Sequence, residues 1–134
     1  MERSTERALH YLEKEQRPDG SWVPLWFGNQ DNENHENPVY GTVRVLEALK
    51  EVDHPMVVNG FQWLETLELE TLCLEEQALV AGVTGRGGEQ LAEMTSNGTQ
   101  FSANPIGLYF ASLWYSEHLY PMIFSVEAFK RCGM

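Results

Sequence analysis

Two sets of side chains in this sequence have the types and spacing to do chemistry. The first is the polar cluster Asp31, Glu33, His35 and Glu36 within the run Gln30 to Asn37, because carboxylates and imidazole together can ligate a metal. Nothing in that run marks a rigid frame, so it reads as a solvated acidic loop bordering a groove, and no metal or other cofactor is expected. The second is a pair of aromatic blocks, Trp22 to Phe27 and Phe101 to Phe124. Electron-rich ring faces stabilise a cation, although aromatics at helical spacing more often fill a core. A strong acid is harder to find: Asp31 and Asp53 are isolated, and Asp19 belongs to a turn. Cys73 and Cys132 lack the spacing of a zinc knuckle or a disulfide framework. His10, His54 and His118 are singletons, better explained as surface groups or satisfied partners than as bases. Thr84-Gly85-Arg86-Gly87-Gly88 lacks the Gly-Lys-Ser/Thr ending of a phosphate loop and reads as a flexible connector.

Helices joined by Gly/Pro/Asn-rich loops must position these residues, since no convincing strand alternation is visible. The spacing predicts helices over Thr5–Glu15, Val39–Glu51, Met56–Leu69, Leu74–Val83, Ile106–Tyr120 and Ile123–Arg131, about three pairs in a single domain spanning residues 1–134. Pro38 and Pro105 sit just ahead of helical runs, where a missing N–H is harmless. The polar run Glu89 to Gln100 is expected to be only partly ordered.

Composition narrows the partners. Nine basic against twenty acidic side chains give a formal charge of −11, which disfavours nucleic acid and polybasic attraction to lipid. Membrane contact would have to be apolar. No apolar run approaches the ~20 residues of a membrane span, and the first residues lack a signal-peptide core. A cytoplasmic protein, at most peripheral to the inner membrane, is the expectation.

The densest pattern is the stretch from Ala8 to Trp22. Tyr11-Leu12 is followed by Gln16 and then by Gly20-Ser21-Trp22, with Pro18-Asp19-Gly20 supplying a reversal. A Gln at a helix end can bond stranded backbone groups, and a Trp beyond the turn offers an apolar face and an N–H. Such a unit staples a helix end to its neighbour. In its order it resembles the QW repeat of the squalene-hopene and oxidosqualene cyclase family. The resemblance, to the carboxy-terminal portion of bacterial members, continues through Pro24 to Gln30, through Asn37-Pro38-Val39-Tyr40-Gly41-Thr42, and into the terminal block 101–124. Between them it frays: Gly60-Phe61-Gln62-Trp63-Leu64 starts a second repeat over 60–83, but no Gly-x-Trp follows.

The resemblance implies an all-α fold, an α/α toroid of helical hairpins of which this chain forms a partial ring. It implies an aromatic cavity wall contributed by Trp26, Tyr40, Phe101, Tyr109, Trp114 and Tyr115, with Phe110 in the same segment, and a structural role for Gln16, Gly20 and Trp22. Relatives cyclise squalene by protonating it with an Asp-x-Asp-Asp motif, which is absent from these residues, so no catalytic residue is assigned and inactivity alone is expected. A partial ring leaves an apolar edge, for an amino-terminal cyclase half or a second copy to cover; a squalene-like lipid is the expected ligand. The alternatives are a non-catalytic module binding an isoprenoid or a partner helix, and a decayed cyclase remnant. Membership of the prenyltransferase β subunits that share the toroid would need a zinc set, and Cys73 has no Asp two residues before it.

Overall fold

The first helix, α1 (Glu2–Glu15), stops where the sequence turns at Pro18-Asp19-Gly20. Asp19 Oδ1 accepts from the backbone N–H and the hydroxyl of Ser21, at 2.9 and 2.7 Å, so the turn is held by its own side chains. Beyond it the indole of Trp22, only 3% exposed, donates from Nε1 to the Leu12 carbonyl of α1 at 2.7 Å. That carbonyl, in the last turn, also accepts from Gln16 N at 3.1 Å, so the indole takes up its second lone pair. Gln16 Nε2 donates to Gly20 O at 2.9 Å and to Met56 O at 2.8 Å. The helix end, the turn and a distant segment are thereby tied together.

The computed structural model describes residues 2–103, 106–108, 113–115 and 119–134. After α1 come a short strand β1 (Phe27–Asn29), α2 (Pro38–Leu49), α3 (Pro55–Thr66), α4 (Leu74–Thr84), α5 (Gly88–Met94), strands β2 (Ile106–Leu108) and β3 (Leu113–Tyr115), and α6 (Leu119–Cys132). The fold is all-α in class, of the toroid type built from helical pairs, with a small sheet added. Pro38 and Pro55 open α2 and α3; Asn37 Oδ1 caps the first by accepting from Tyr40 N, and His54 Nδ1 caps the second by accepting from Met56 N. His54 is therefore a helix cap.

Trp22 joins Val39, Val43 and Leu46 of α2 with Met56, Val57 and Leu64 of α3 in the main core. Helix α4 runs through the middle, packed against α2, α5 and α6. Every residue from Leu74 to Gly82 is buried, and a helix enclosed on all sides carries no polar stripe. A second cluster forms where Leu74, Ala78 and Ala81 meet Leu91 of α5 and Ala128 of α6. Burial of Leu91 orders α5, in a run expected to be only partly ordered.

The terminal block departs from expectation. In place of a helix over Ile106–Tyr120, β2 pairs antiparallel with β1 (Gly28 opposite Gly107) and with β3 (Gly107 opposite Trp114). Short apolar runs have no decisive period, and Phe27–Asn29 offers an edge that a distant segment can pair with. Helix α6, expected over Ile123–Arg131, begins earlier, at Leu119, and runs through Tyr120-Pro121 where a break was expected. Tyr109, Phe110 and His118 lie outside the described residues.

Gly20 has φ +99°, and a Cβ there would stand 2.4 Å from Asn59 O of α3. Gly20→Ala combines left-handed backbone strain with a clash against main chain, and should cost about 3 kcal/mol; urea unfolding with an unchanged m value measures it, and a loss below 0.5 kcal/mol would refute the clamp. A second prediction concerns the Arg17–Glu36 fork, whose nitrogen–oxygen distances are 2.8 and 2.7 Å. The hydrogen bonds from Arg17 hold the Glu36 carboxyl below its ordinary 4.5. Its contribution is therefore complete above that value and fades as pH falls through the lower folded one; Glu36→Gln should remove this part of the acid dependence in thermal melts between pH 3 and 6.

Candidate functional site

Helices α2, α4 and α6 converge with β1 around a cavity of about 180 Å³. Phe27 and Asn29 enter from β1, and Tyr40 and Arg44, one turn apart, from α2. Helix α4 contributes Glu75, Glu76 and Leu79; Tyr120, Ile123 and Phe124 close the side formed by α6. Asn37 and Cys73 stand where α2 and α4 begin. Most of this surface is apolar and aromatic, as ligand cavities usually are.

The rings are arranged in pairs. Phe27 and Tyr40 lie 5.3 Å apart at 41°, and Tyr120 stacks on Phe124 at 6.0 Å and 9°. Between the α2 and α6 rings sits the Arg44 guanidinium, 5.3 Å from the Tyr40 centroid and 5.1 Å from that of Phe124. Its Nη1 donates to Glu47 Oε2 at 2.7 Å. Burial works against the Arg44 charge, but the Glu47 contact, with a contribution from Tyr40, outweighs it and raises the pKa above its ordinary value. Arg44 is a permanent cation at the wall.

Two carboxylates are buried on α4, Glu75 at 6% and Glu76 at 5% exposure. Burying a carboxylate requires donors. Glu76 Oε1 accepts from Asn29 Nδ2 at 3.0 Å and Asn32 Nδ2 at 3.3 Å, while Oε2 accepts from Cys73 N at 3.2 Å and closes a capping box on α4. These bonds also correct the reading of the loop Gln30–Asn37 as unframed: Asn29 and Asn32 tie it to α4, and Glu36 ties it to Arg17. Its acidic residues do not converge; among the described residues no three His, Cys, Asp or Glu side chains are placed to hold a metal.

The expected aromatic wall divides. Tyr40 lines the cavity, whereas Trp26 is 64% exposed and does not. Phe101 is half-buried against the Leu74–Ala128 cluster. Trp114 and Tyr115 are in β3, with backbone paired to β2, and Tyr109 lies outside the described residues. Gln16, Gly20 and Trp22 form the clamp already described. Sequence reasoning missed Phe27, Arg44, Glu75, Glu76, Tyr120 and Phe124 as cavity residues. The one available signal was Glu75-Glu76-Gln77 at the head of an otherwise apolar helix.

An all-α domain of helical pairs with an aromatic cavity is the class defined by these features. Residues 1–72 match the family model described as the squalene-hopene cyclase C-terminal domain, and the chain belongs to that family. It is also 46% identical over 46 residues to the squalene-hopene cyclase of Alicyclobacillus acidocaldarius. That match covers 34% of this chain and 6% of the relative's length. No solved structure matches the chain. Both α4 and α6 lie beyond the residues that the family model matches.

The thiol of Cys73 is pushed up to about 12, by burial first and then by the Glu76 carboxylate. At pH 8 roughly one molecule in ten thousand then carries the thiolate. Iodoacetamide should leave Cys73 unmodified in the folded protein and alkylate it in 6 M guanidinium; peptide mass mapping distinguishes the two.

Proposed function

We propose that the chain acts as a carboxy-terminal module of a squalene-hopene cyclase-like triterpene cyclase, its cavity receiving one end of a squalene-like isoprenoid chain. The observation that carries this reading is the aromatic cavity bordered by the family-matched segment through Phe27 and Tyr40. Its volume, about 180 Å³, is below the ~300 Å³ at which sites for drug-sized ligands begin, so a thirty-carbon chain would extend beyond it. Further helices would enclose the rest.

The same reading accounts for an exposed apolar stripe on α6. Leu119, Met122, Ile123 and Val126 recur at i, i+3, i+4 and i+7 and are all exposed. An amino-terminal cyclase half, or a second copy, is the partner proposed to cover them. Among the described residues, no helix is long and apolar enough to cross a membrane.

Initiation is a separate matter. An alkene is protonated only by a strongly poised acid, and the three aspartates are scattered, Asp19 being engaged in its own turn. The chain by itself should therefore not cyclise squalene. Incubation of purified protein with squalene, with extraction and mass spectrometry of the products, is the test; polycyclic product formed without a partner defeats the claim. Binding is separable from turnover. Ile123→Lys places a charge at the rim of the cavity on an exposed position, and should weaken uptake of a squalene-length hydrocarbon about tenfold. Unchanged uptake would remove the cavity from the proposal.

A further inference from the structure

We propose that the groove between α1 and α2 is a second section of the isoprenoid site, in which a linear, neutral hydrocarbon chain seated in the cavity crosses the Tyr40–Arg44 edge of α2 and continues along the surface. The inference rests on the cavity being the isoprenoid site and says where the chain goes on leaving it.

The groove is an open trough of about 490 Å³, lined by Tyr11 and Leu12 of α1, by Val45 of α2 and by Leu25 of the segment that follows the Trp22 turn. Tyr40 and Arg44 line it as well, and both also line the cavity. They stand one turn apart on α2, with the guanidinium 5.3 Å from the ring centroid, and so form one edge shared by the two spaces. The volumes set what each can hold. Engineered apolar cavities of ~150 Å³ take up benzene, so the cavity, at about 180 Å³, has room for about two isoprene units. The groove lies within the ~300–1,000 Å³ range of ligand sites.

The floor of the groove is fixed before a ligand arrives. Buried Trp22 lines it beside Gly41, where a Cβ would stand 2.4 Å from Trp22 O and 2.7 Å from Pro24 Cδ, so α2 and the segment after the turn meet backbone to side chain. Above this floor Leu25 and Tyr11 are 69% and 52% exposed, and covering them removes apolar surface from water. The charged groups suit a neutral ligand. Arg17 meets Glu36 at 2.8 and 2.7 Å, and Arg44 meets Glu47 at 2.7 Å. An anionic head group would therefore find both lining cations engaged, on a chain of formal charge −11. A partner helix, about 10 Å across with its side chains, could lie on the groove but could not follow it into the cavity. A slender alkyl chain can occupy both.

The experiment compares uptake of a short and a long chain, myrcene with two isoprene units and squalene with six, delivered from cyclodextrin and measured by extraction and mass spectrometry. Leu25→Asp places a charge in the groove at an exposed position outside the cavity. It should weaken uptake of squalene about tenfold and that of myrcene less than about twofold. Ile123→Lys, at the cavity rim, should weaken both. A loss of squalene uptake below about threefold in Leu25→Asp overturns the inference, as does an equal loss of both probes. Tyr11→Glu, on the exposed face of α1, repeats the comparison should Leu25→Asp fail to fold. The failures are distinguishable: if the unmodified protein takes up neither probe, the cavity falls as an isoprenoid site and the groove with it, whereas myrcene uptake with squalene indifferent to the groove variants overturns the groove alone. Sedimentation velocity of the ligand-free proteins identifies the competing occupant. Self-association that is lost in Leu25→Asp, with squalene uptake unchanged, assigns the groove to a second copy and overturns the inference.

Discussion

The indole of Trp22 is the point on which three helices agree. Its N–H finishes α1 at Leu12, its backbone N–H donates to Thr42 Oγ1 of α2 at 2.9 Å, and its ring lies against Gly60 of α3, where a Cβ would stand 2.8 Å from Cζ3. Burial of a Trp side chain stabilises a fold by roughly 4–6 kcal/mol as an upper estimate, comparable with the entire net stability of a small domain. The glycines permit the approach: at Gly41 a Cβ would stand 2.4 Å from Trp22 O. Because α2 is held in this way, Tyr40 and Arg44 are carried to a fixed place, and the cavity inherits its first wall from a clamp that takes no part in it.

The second wall follows from enclosing α4. A helix buried on all sides can carry a carboxylate only where donors are brought to it, and the side-chain donors for Glu76 come from the end of β1 and from the loop after it, which composition marks as solvated. Asn29 and Asn32 turn that loop inward. The acidic residues of the loop have a different part: Glu36 pairs with Arg17 at the surface, where an ion pair of this exposure adds little to stability but fixes where the loop lies. Anchored at both places, the loop borders the cavity.

The aromatic composition has two outcomes that spacing does not distinguish. Trp22 fills the core, Tyr40 lines a cavity, and Trp26, four residues from Trp22, faces solvent. Trp22 and Trp26 carry the same ring, and the surroundings decide its use. The same applies to Arg44, a surface residue by type, whose position between two rings turns a charge into part of an apolar wall.

The helices α2 and α3 are legible in the sequence because a capping residue and a proline at the first turn act within a few residues of one another, α1 because of its amphipathic period, and α4 because of its opening run of good helix formers. The clamp is equally legible, since Gln16, Gly20 and Trp22 are close in the chain and each residue type has a narrow range of uses. Neither the sheet that replaces the expected helix over Ile106–Tyr120 nor the cavity itself could be read there. Strands of three residues carry too few side chains to show a period, and pairing partners as far apart in the chain as Phe27 and Leu108, or Asn29 and Ile106, meet only after the chain has folded. The sequence by itself determined the helices α1 to α4 and the clamp, because local geometry and short-range hydrogen bonds suffice for them. The tertiary structure alone decided which aromatic rings face the cavity, which carboxylates are buried and where Arg44 rests, because those depend on contacts between residues far apart in the chain.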